Sequence, residues 1–325
     1  MFWRQYKVLL VCVNFFVPVF SLAQNYPSRP IKFIVPYSPG GAIDTTARAV
    51  AQKMSSLLSQ SFVVENHPGG NTIIGTELTI KSPPDGYTFL VTSSSPIVAN
   101  PHLYSKLTYD SLKDLVPVSL ICLLPQAFVI NKDLGFNSIK EFISFAKANP
   151  TKLSYGSMGS GSSGHLNTEN FKQIADIQMT HVPYKGSTPA VTDLAGGQIS
   201  AMVVTMSAVD GFLRSGKLKA LLIGSGQRSV LFTDVPTATE AGYPTFTASD
   251  WIGILAPSLT PKSIVDQFND AFQKVANQPD FREEWILKKG LEPAATKTPQ
   301  DFEKFIRADY VQTGKLVRLT GAKLD

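Results

Sequence analysis

Four stretches rich in glycine and hydroxyl side chains hold the groups with which this sequence could do chemistry. They are Tyr37-Ser-Pro-Gly-Gly-Ala-Ile-Asp44, Thr92-Ser-Ser-Ser95, Gly156-Ser-Met-Gly-Ser-Gly-Ser-Ser-Gly164 and Lys185-Gly-Ser-Thr188. Each follows a short β-rich run. In open α/β sheets ligands bind beyond the carboxyl ends of the strands, often at helix N-termini. Glycine lets backbone approach a ligand closely, hydroxyls supply neutral donors, and the first turn of a helix presents unpaired N–H groups. That equipment suits an anion, a carboxylate or a phosphate. One such loop reads as a turn; four at matching strand ends point to a binding site.

Sharper chemistries fit less well. Gly159-Ser-Gly-Ser-Ser-Gly164 spells G-x-G-x-x-G between a strand and a helix. A dinucleotide site also wants an acid ending the next strand, and residues 180–184 end without one. A nucleophile elbow is absent from this loop, because His165 rather than glycine stands two places after Ser163. Ser163 and His165 allow a secreted serine hydrolase to be drawn, but a histidine at a helix start more often caps it or donates to a ligand. His67 and His102 adjoin prolines and read as loop residues, while His181 falls in a strand. The four histidines have no metal-ligand spacing, so neither metal nor cofactor is expected. Asp44 opens a helix and either caps it or holds a ligand. Asp193 reads as structural, and Trp251 either packs in a hinge or lines a cleft.

The elements that must position these loops alternate. Strand-like runs fall at 31–35, 62–65, 88–92, 153–156, 180–184, 199–205, 218–224 and 251–255. Between them Ala47, Val50, Ala51, Met54, Leu57 and Leu58 have the spacing of a helix face, and further helices are expected at 72–80, 138–148, 165–175, 189–195 and 209–214. Two amphipathic helices follow Pro261, the second carrying Phe302, Phe305 and Ile306. Alternation of this kind argues for parallel sheets with helices on both faces. The long apolar run 116–130, with Pro125 inside it, is either two strand segments or one strand passing between domains. With a second crossing near 249–256 it brackets a middle segment, which predicts a hinged, bilobed protein with a cleft.

Composition narrows the classes. With 325 residues, 43% hydrophobic and 17% charged, the chain is neither disordered nor too small for two cores. The net charge of +5 is diffuse, without the basic clusters of a nucleic-acid binder. Residues 1–7 carry Arg4 and Lys7 and no acid, residues 8–20 are apolar apart from Asn14 and Pro18, and Ser21-Leu-Ala23 supplies a small-x-small site. This is the pattern of a secretory signal peptide cleaved before Gln24. A membrane anchor would need about 20 apolar residues, more than this run provides. A lipoprotein would want a small residue where Val11 precedes Cys12. Cleavage removes Arg4, Lys7 and Cys12, leaving a charge of +3 and one thiol, Cys122, in an apolar run.

The mature chain resembles the tripartite tricarboxylate transporter receptor family, also called Bordetella uptake gene (Bug) proteins. The likeness rests on Tyr26-Pro-Ser-Arg-Pro-Ile31, Pro39-Gly-Gly-Ala-Ile-Asp44, Glu65-Asn-His-Pro-Gly-Gly70 and Asp85-Gly-Tyr-Thr88. It continues through Tyr155-Gly-Ser157, Gly164-His-Leu166, Val182-Pro-Tyr-Lys-Gly186, Asp193-Leu194 and Gly216-Lys-Leu-Lys-Ala-Leu221 to residues 236–242. The resemblance implies a periplasmic solute-binding protein with a type II-like Venus-flytrap fold and no catalysis. Each lobe is then a mainly parallel sheet flanked by helices. Lobe 1 is expected at 24–124 plus 253–325 and lobe 2 at 125–252, joined by two crossing strands. A monomer is expected.

The family pattern implies that a small carboxylate is clasped between the lobes. The first lobe would offer Tyr37, Ser38, Gly40, Gly41, Ile43, Asp44, Thr92, Ser93 and Ser94. The second would offer Ser157, Gly159, Ser160, Gly161, Ser163, His165, Tyr184, Lys185, Gly186, Thr205 and Met206, with Trp251 beside the crossing. Relatives often carry an Asp-Asn type pair where this chain has Thr205-Met206-Ser207, so a less polar wall and a ligand with an apolar or aromatic body are expected. The implied partners are the membrane subunits of a transporter; a sensing subunit would use the same clasp. Intact-mass measurement of the exported protein should show a chain beginning at Gln24, and an uncut leader would overturn that assignment.

Overall fold

The computed structural model describes residues 26–324; the expected leader, residues 1–23, lies outside them. Among the described residues no helix is long and apolar enough to cross a membrane. The first half contains β1 (Ile31–Val35), α1 (Ala42–Leu58), β2 (Phe62–Asn66), α2 (Ile73–Ile80), β3 (Thr88–Ser93), α3 (Asn100–Leu103) and the long β4 (Leu115–Asn131). Then come α4 (Ile139–Ala148), β5 (Ser154–Ser157), α5 (Ser163–Ala175), β6 (Thr180–Pro183), α6 (Ser187–Ala195), β7 (Ala201–Thr205), α7 (Met206–Arg214) and β8 (Leu218–Ile223). The chain closes with β9 (Ser249–Pro257), α8 (Lys262–Ala276), α9 (Pro279–Phe281), β10 (Glu292–Pro293) and α10 (Pro299–Thr320).

These strands make two sheets of one design. In the first lobe the order is β2-β1-β3-β9-β4, with β1 to β3 parallel and β9 antiparallel to both its neighbours. In the second it is β6-β5-β7-β4-β8, where β4 is the one antiparallel strand. β4 thus belongs to both sheets, as the continuous strand that the apolar run 116–130 left open. Its pairing with β9 ends at Pro125 opposite Ser249, and its pairing with β7 begins at Gln126 opposite Thr205. Proline has no N–H for a ladder, so the exchange of partners falls where one donor is missing. Backbone bonds then lock three segments together: Gln126 N–H to Ala248 O at 3.0 Å, Gly224 N–H to Gln126 O at 2.8 Å, and Ala248 N–H to Gly224 O at 3.0 Å.

Each lobe has its own core. The apolar face of α1 (Ala47, Val50, Met54) meets Phe33 and Phe89 of the sheet and Phe268 and Phe272 of α8. Phe128, Phe142, Phe171 and Phe246 fill one face of the second sheet. Burying each such side chain contributes about 1.5–3 kcal/mol. α10 packs Phe302 and Ile306 on the first lobe, as expected for a returning C-terminal helix, and it also reaches α5 of the second. Ala99, Leu103, Leu166, Leu316 and Val317 form a small apolar seam there.

The three-way junction leaves no room for a side chain at Gly224. A Cβ there would stand 2.5 Å from Ala248 N and 2.6 Å from Ala248 Cβ. Gly224→Ala should cost about 1–3 kcal/mol of stability by urea unfolding, because backbone rather than a flexible side chain must move. An unchanged unfolding midpoint would show that the junction yields freely.

Candidate functional site

The first loop is held together by a carboxylate. Asp44 is 2% exposed, and its Oδ2 accepts the Gly40 N–H at 2.8 Å and Arg48 Nε at 3.1 Å. Its Oδ1 accepts Asn66 Nδ2 at 2.9 Å, and the same amide reaches Tyr37 O at 3.0 Å. Burial alone would raise the Asp44 pKa, but the bonds from Arg48, Gly40 and Asn66 outweigh it and hold the carboxyl below its ordinary 3.8. Asp44 thus shapes the loop instead of facing out of it. Ser38, Gly40 and Gly41 are exposed, and α1 begins at Gly41 without a side-chain cap. Its first amides are therefore unfilled donors.

The second loop lies beside the first. Tyr37 OH bonds Ser93 Oγ at 2.6 Å and Thr92 Oγ1 at 3.5 Å. Burial pushes this phenol up to about 12, so it serves as a neutral partner. Ser94 N–H donates to Asp250 Oδ1 at 3.2 Å, and Trp251 N–H donates to the same oxygen at 2.7 Å.

The facing loops come from the second lobe. Ser157 is fully buried, and its Oγ meets His181 Nε2 at 2.7 Å and accepts the Gly159 N–H at 3.2 Å. His165 is also turned inward, 7% exposed, with Nδ1 accepting the Gly161 N–H at 3.0 Å. Gly161 has φ +80, a left-handed conformation that favours glycine. Ser160 remains exposed at the tip. Tyr184 OH donates to Asp193 Oδ2 at 2.7 Å, which gives Asp193 the structural place expected of it. Lys185 is exposed, and α6 and α7 begin at Gly186 and Thr205 without side-chain caps.

Met206 lies differently from the expected cleft wall, and Trp251 both packs and lines a cavity. Met206 packs in the second core with Val204 and Val209, 1% exposed, because the first turn of α7 directs it inward. The wall expected to be apolar therefore presents half-buried Thr205 and exposed Ser207. Trp251 stacks edge-on against Phe302 and Phe305 and donates Nε1–H to Asp309 at 2.7 Å. It borders a cavity of about 350 Å³ between α5 and α10, which Ser94, Ser163 and Asp250 also line.

Residues that the sequence reading passed over fasten α5 to the crossing strands. Gln126, wholly buried in β4, donates Nε2 to Ser163 Oγ and accepts Asn167 Nδ2 at Oε1, both at 2.8 Å. Ser163 Oγ also lies 3.5 Å from Asp250 Oδ2. Burial pushes the Asp250 carboxyl up, against the bonds from Ser94, Trp251 and Ser163. A lone glutamine inside an apolar run was the signal that could have flagged this junction. Ser163 and His165 each bond elsewhere, so the drawn hydrolase pair is not formed.

Two α/β lobes, two crossing strands and opposed loop ends define a bilobed solute-binding protein. The profile described as tripartite tricarboxylate transporter family receptor matches residues 46–322. The chain is 39% identical to Protein BugT of Bordetella pertussis over 326 aligned residues, covering 97% of this chain and 98% of that protein. The solved Rpa4515 protein of R. palustris, with adipate, is 32% identical with a TM-score of 0.84, covering 92% of this chain and all of that one. Periplasmic binding protein BugD is 31% identical with a TM-score of 0.79, covering 92% and 99%. The chain belongs to the tripartite tricarboxylate transporter receptor family, whose members are binding proteins and not enzymes.

Asp44→Ala would leave the Gly40 N–H, Asn66 and Arg48 without their acceptor, at a cost of about 1–3 kcal/mol in unfolding experiments. The wild-type contribution is whole above pH 3.8 and lost as pH falls through the depressed folded value. The stability difference between wild type and variant should therefore shrink only below that pH. A difference that vanishes near neutrality would contradict the assignment.

Proposed function

We propose that this chain is a periplasmic receptor that closes its two lobes over a small organic carboxylate and delivers it to the membrane subunits of a transporter. The observation that carries the reading is the opposition of uncapped helix starts, at α1 on one lobe and α6 and α7 on the other. These amides and the nearby hydroxyls are neutral donors, and Arg48 is spent on Asp44 and Asn66. A hydrogen bond to a charged group contributes about 1.5–3 kcal/mol net, so three or four such donors supply micromolar affinity without burying a cation.

In this reading the carboxylate sits at the 38–44 loop, whose tip at 38–41 is exposed and braced from below, beside the buried hydroxyls of Thr92, Ser93 and Ser94. Gly159, Ser160, Gly161 and Ser163 close from the other side, with Tyr184, Lys185, Gly186 and Thr205, while Ser157 braces their loop from behind. Asp44, His165 and Met206 support the loops rather than touch the ligand, and Gln126 and Ala248 mark the turn between lobes. Hydroxyls in place of an apolar wall at Thr205 and Ser207 favour a polar distal end. The relative solved with adipate, an acid with two carboxylates and an aliphatic body, supports this choice. Export follows from the leader at residues 1–23.

A thermal-shift and calorimetry panel on refolded, ligand-free mature protein tests the reading. Adipate, citrate and benzoate should be compared with adipamide, the uncharged counterpart of adipate. Ligand at 100 times its Kd adds about 2.7 kcal/mol, which raises Tm by several degrees. Adipate should shift Tm and adipamide should not. No shift with any carboxylate, or equal shifts with acid and amide, would refute the assignment.

A further inference from the structure

Behind the glycine loop of the second lobe lies a stack of three rings. His165 of α5 and His181 of β6 have centroids 4.1 Å apart and planes 14° from parallel, and Tyr155 of β5 continues the stack 4.8 Å from His181. The charged and titratable groups facing the pair are few. Tyr155 OH donates to Glu169, and Lys172 bonds Glu169 at 2.7 Å and lies 5.5 Å above the Tyr155 ring. This acid and base offset one another. Ser157, a neutral hydroxyl, occupies His181 Nε2.

The bond from Gly161 N–H to His165 Nδ1 sets a condition on protonation. An imidazolium donates at both nitrogens, so the bond exists only while Nδ1 is bare. Gly161 stands at the interface between the lobes, where a Cβ would meet Leu103 Cδ1 of the first lobe at 2.5 Å. The protonation of a buried ring is thereby tied to the shape of a loop facing the cleft.

We infer that His165 is a positioning residue whose bare Nδ1 holds the 159–164 loop in its ligand-binding form, and that with the stacked His181 it makes retention of the carboxylate weaken in acid. The inference rests on the reading of the cleft as a carboxylate site. Burial disfavours a charge on either ring, and a charge on His165 further disfavours one on His181, which is lowered to about 4. Both rings therefore stay neutral above their ordinary 6.5, and the neutral state is lost as pH falls from there toward about 4. An imidazolium under the loop would attract an anion, an effect opposite in sign. That attraction has no direction, whereas nothing replaces the lost acceptor of the Gly161 N–H.

Nitrogen-15 NMR of the ligand-free protein tests the linkage without a ligand. His165 Nδ1 should be unprotonated at pH 7, and the Gly161 amide should move with the histidine titration at a midpoint below 6.5. Calorimetry with adipate from pH 7 downward should show affinity falling in step with the Gly161 titration, by up to about tenfold, the scale of one lost hydrogen bond. In His165→Asn an amide oxygen stands near the place of Nδ1 and does not titrate. That variant should bind more tightly than His165→Leu at pH 7 and should lack the wild-type pH profile beyond the protonation of adipate itself, which affects all three proteins alike. A protonated Nδ1 at pH 7, a Gly161 amide indifferent to the titration, or identical profiles for wild type and His165→Asn would overturn the inference. Failure of adipate to bind at pH 7 would count against the cleft reading instead, and the NMR titration alone then decides the linkage.

Discussion

A strand in the interior of a protein cannot leave its sheet without stranding its backbone donors and acceptors, and β4 leaves one sheet only by entering another. That constraint organises the molecule. Because β4 is the last of the five principal strands in the first lobe and the antiparallel strand in the second, the sheets share one continuous strand and diverge on either side of Gln126. The loops at their carboxyl ends are forced to face each other. The cleft is a consequence of strand bookkeeping before any ligand chemistry is considered.

What faces the cleft is organised by groups that do not. Asp44 closes the first loop from behind, Ser157 and His165 the third, and Asp193 anchors Tyr184 beside the fourth. In each case an inward-turned polar side chain is satisfied by the loop's backbone or by neighbouring side chains, and the unfilled amides are left toward the opening. Such preorganisation lets neutral donors hold an anion, because they lose little freedom on binding and need not be stripped of a hydration shell as a lysine would.

Much of this architecture was legible in the sequence, for physical reasons. Apolar periodicity is imposed by burial, so α1 and α8 announced themselves through Val50, Met54, Phe268 and Phe272. Strand ends followed by Gly and Ser showed where loops must lie. The direction of individual side chains was not legible. Asp44, His165 and Met206 stand in loop motifs, and only the packing of distant segments turns them inward: Asn66 for the first, β6 for the second, the second-lobe core for the third. The bonds of Gln126, Asn167 and Asp250 at the crossing were invisible for the same reason, since their partners lie far away in sequence.

The contact of α10 with both lobes affects how the molecule would move. Its meeting with α5 is made by Leu166, Leu316 and Val317, side chains whose attraction depends on area and not on direction. Such a surface tolerates sliding, with the cost of each small displacement spread over many weak contacts. The Ser163 Oγ–Asp250 Oδ2 contact at 3.5 Å, from α5 to β9 of the first sheet, is directional and fails within a fraction of an ångström. Friction and latch are thus separate parts of the joint, so a substitution in one can change how fast the lobes travel and a substitution in the other how long they stay where they stop.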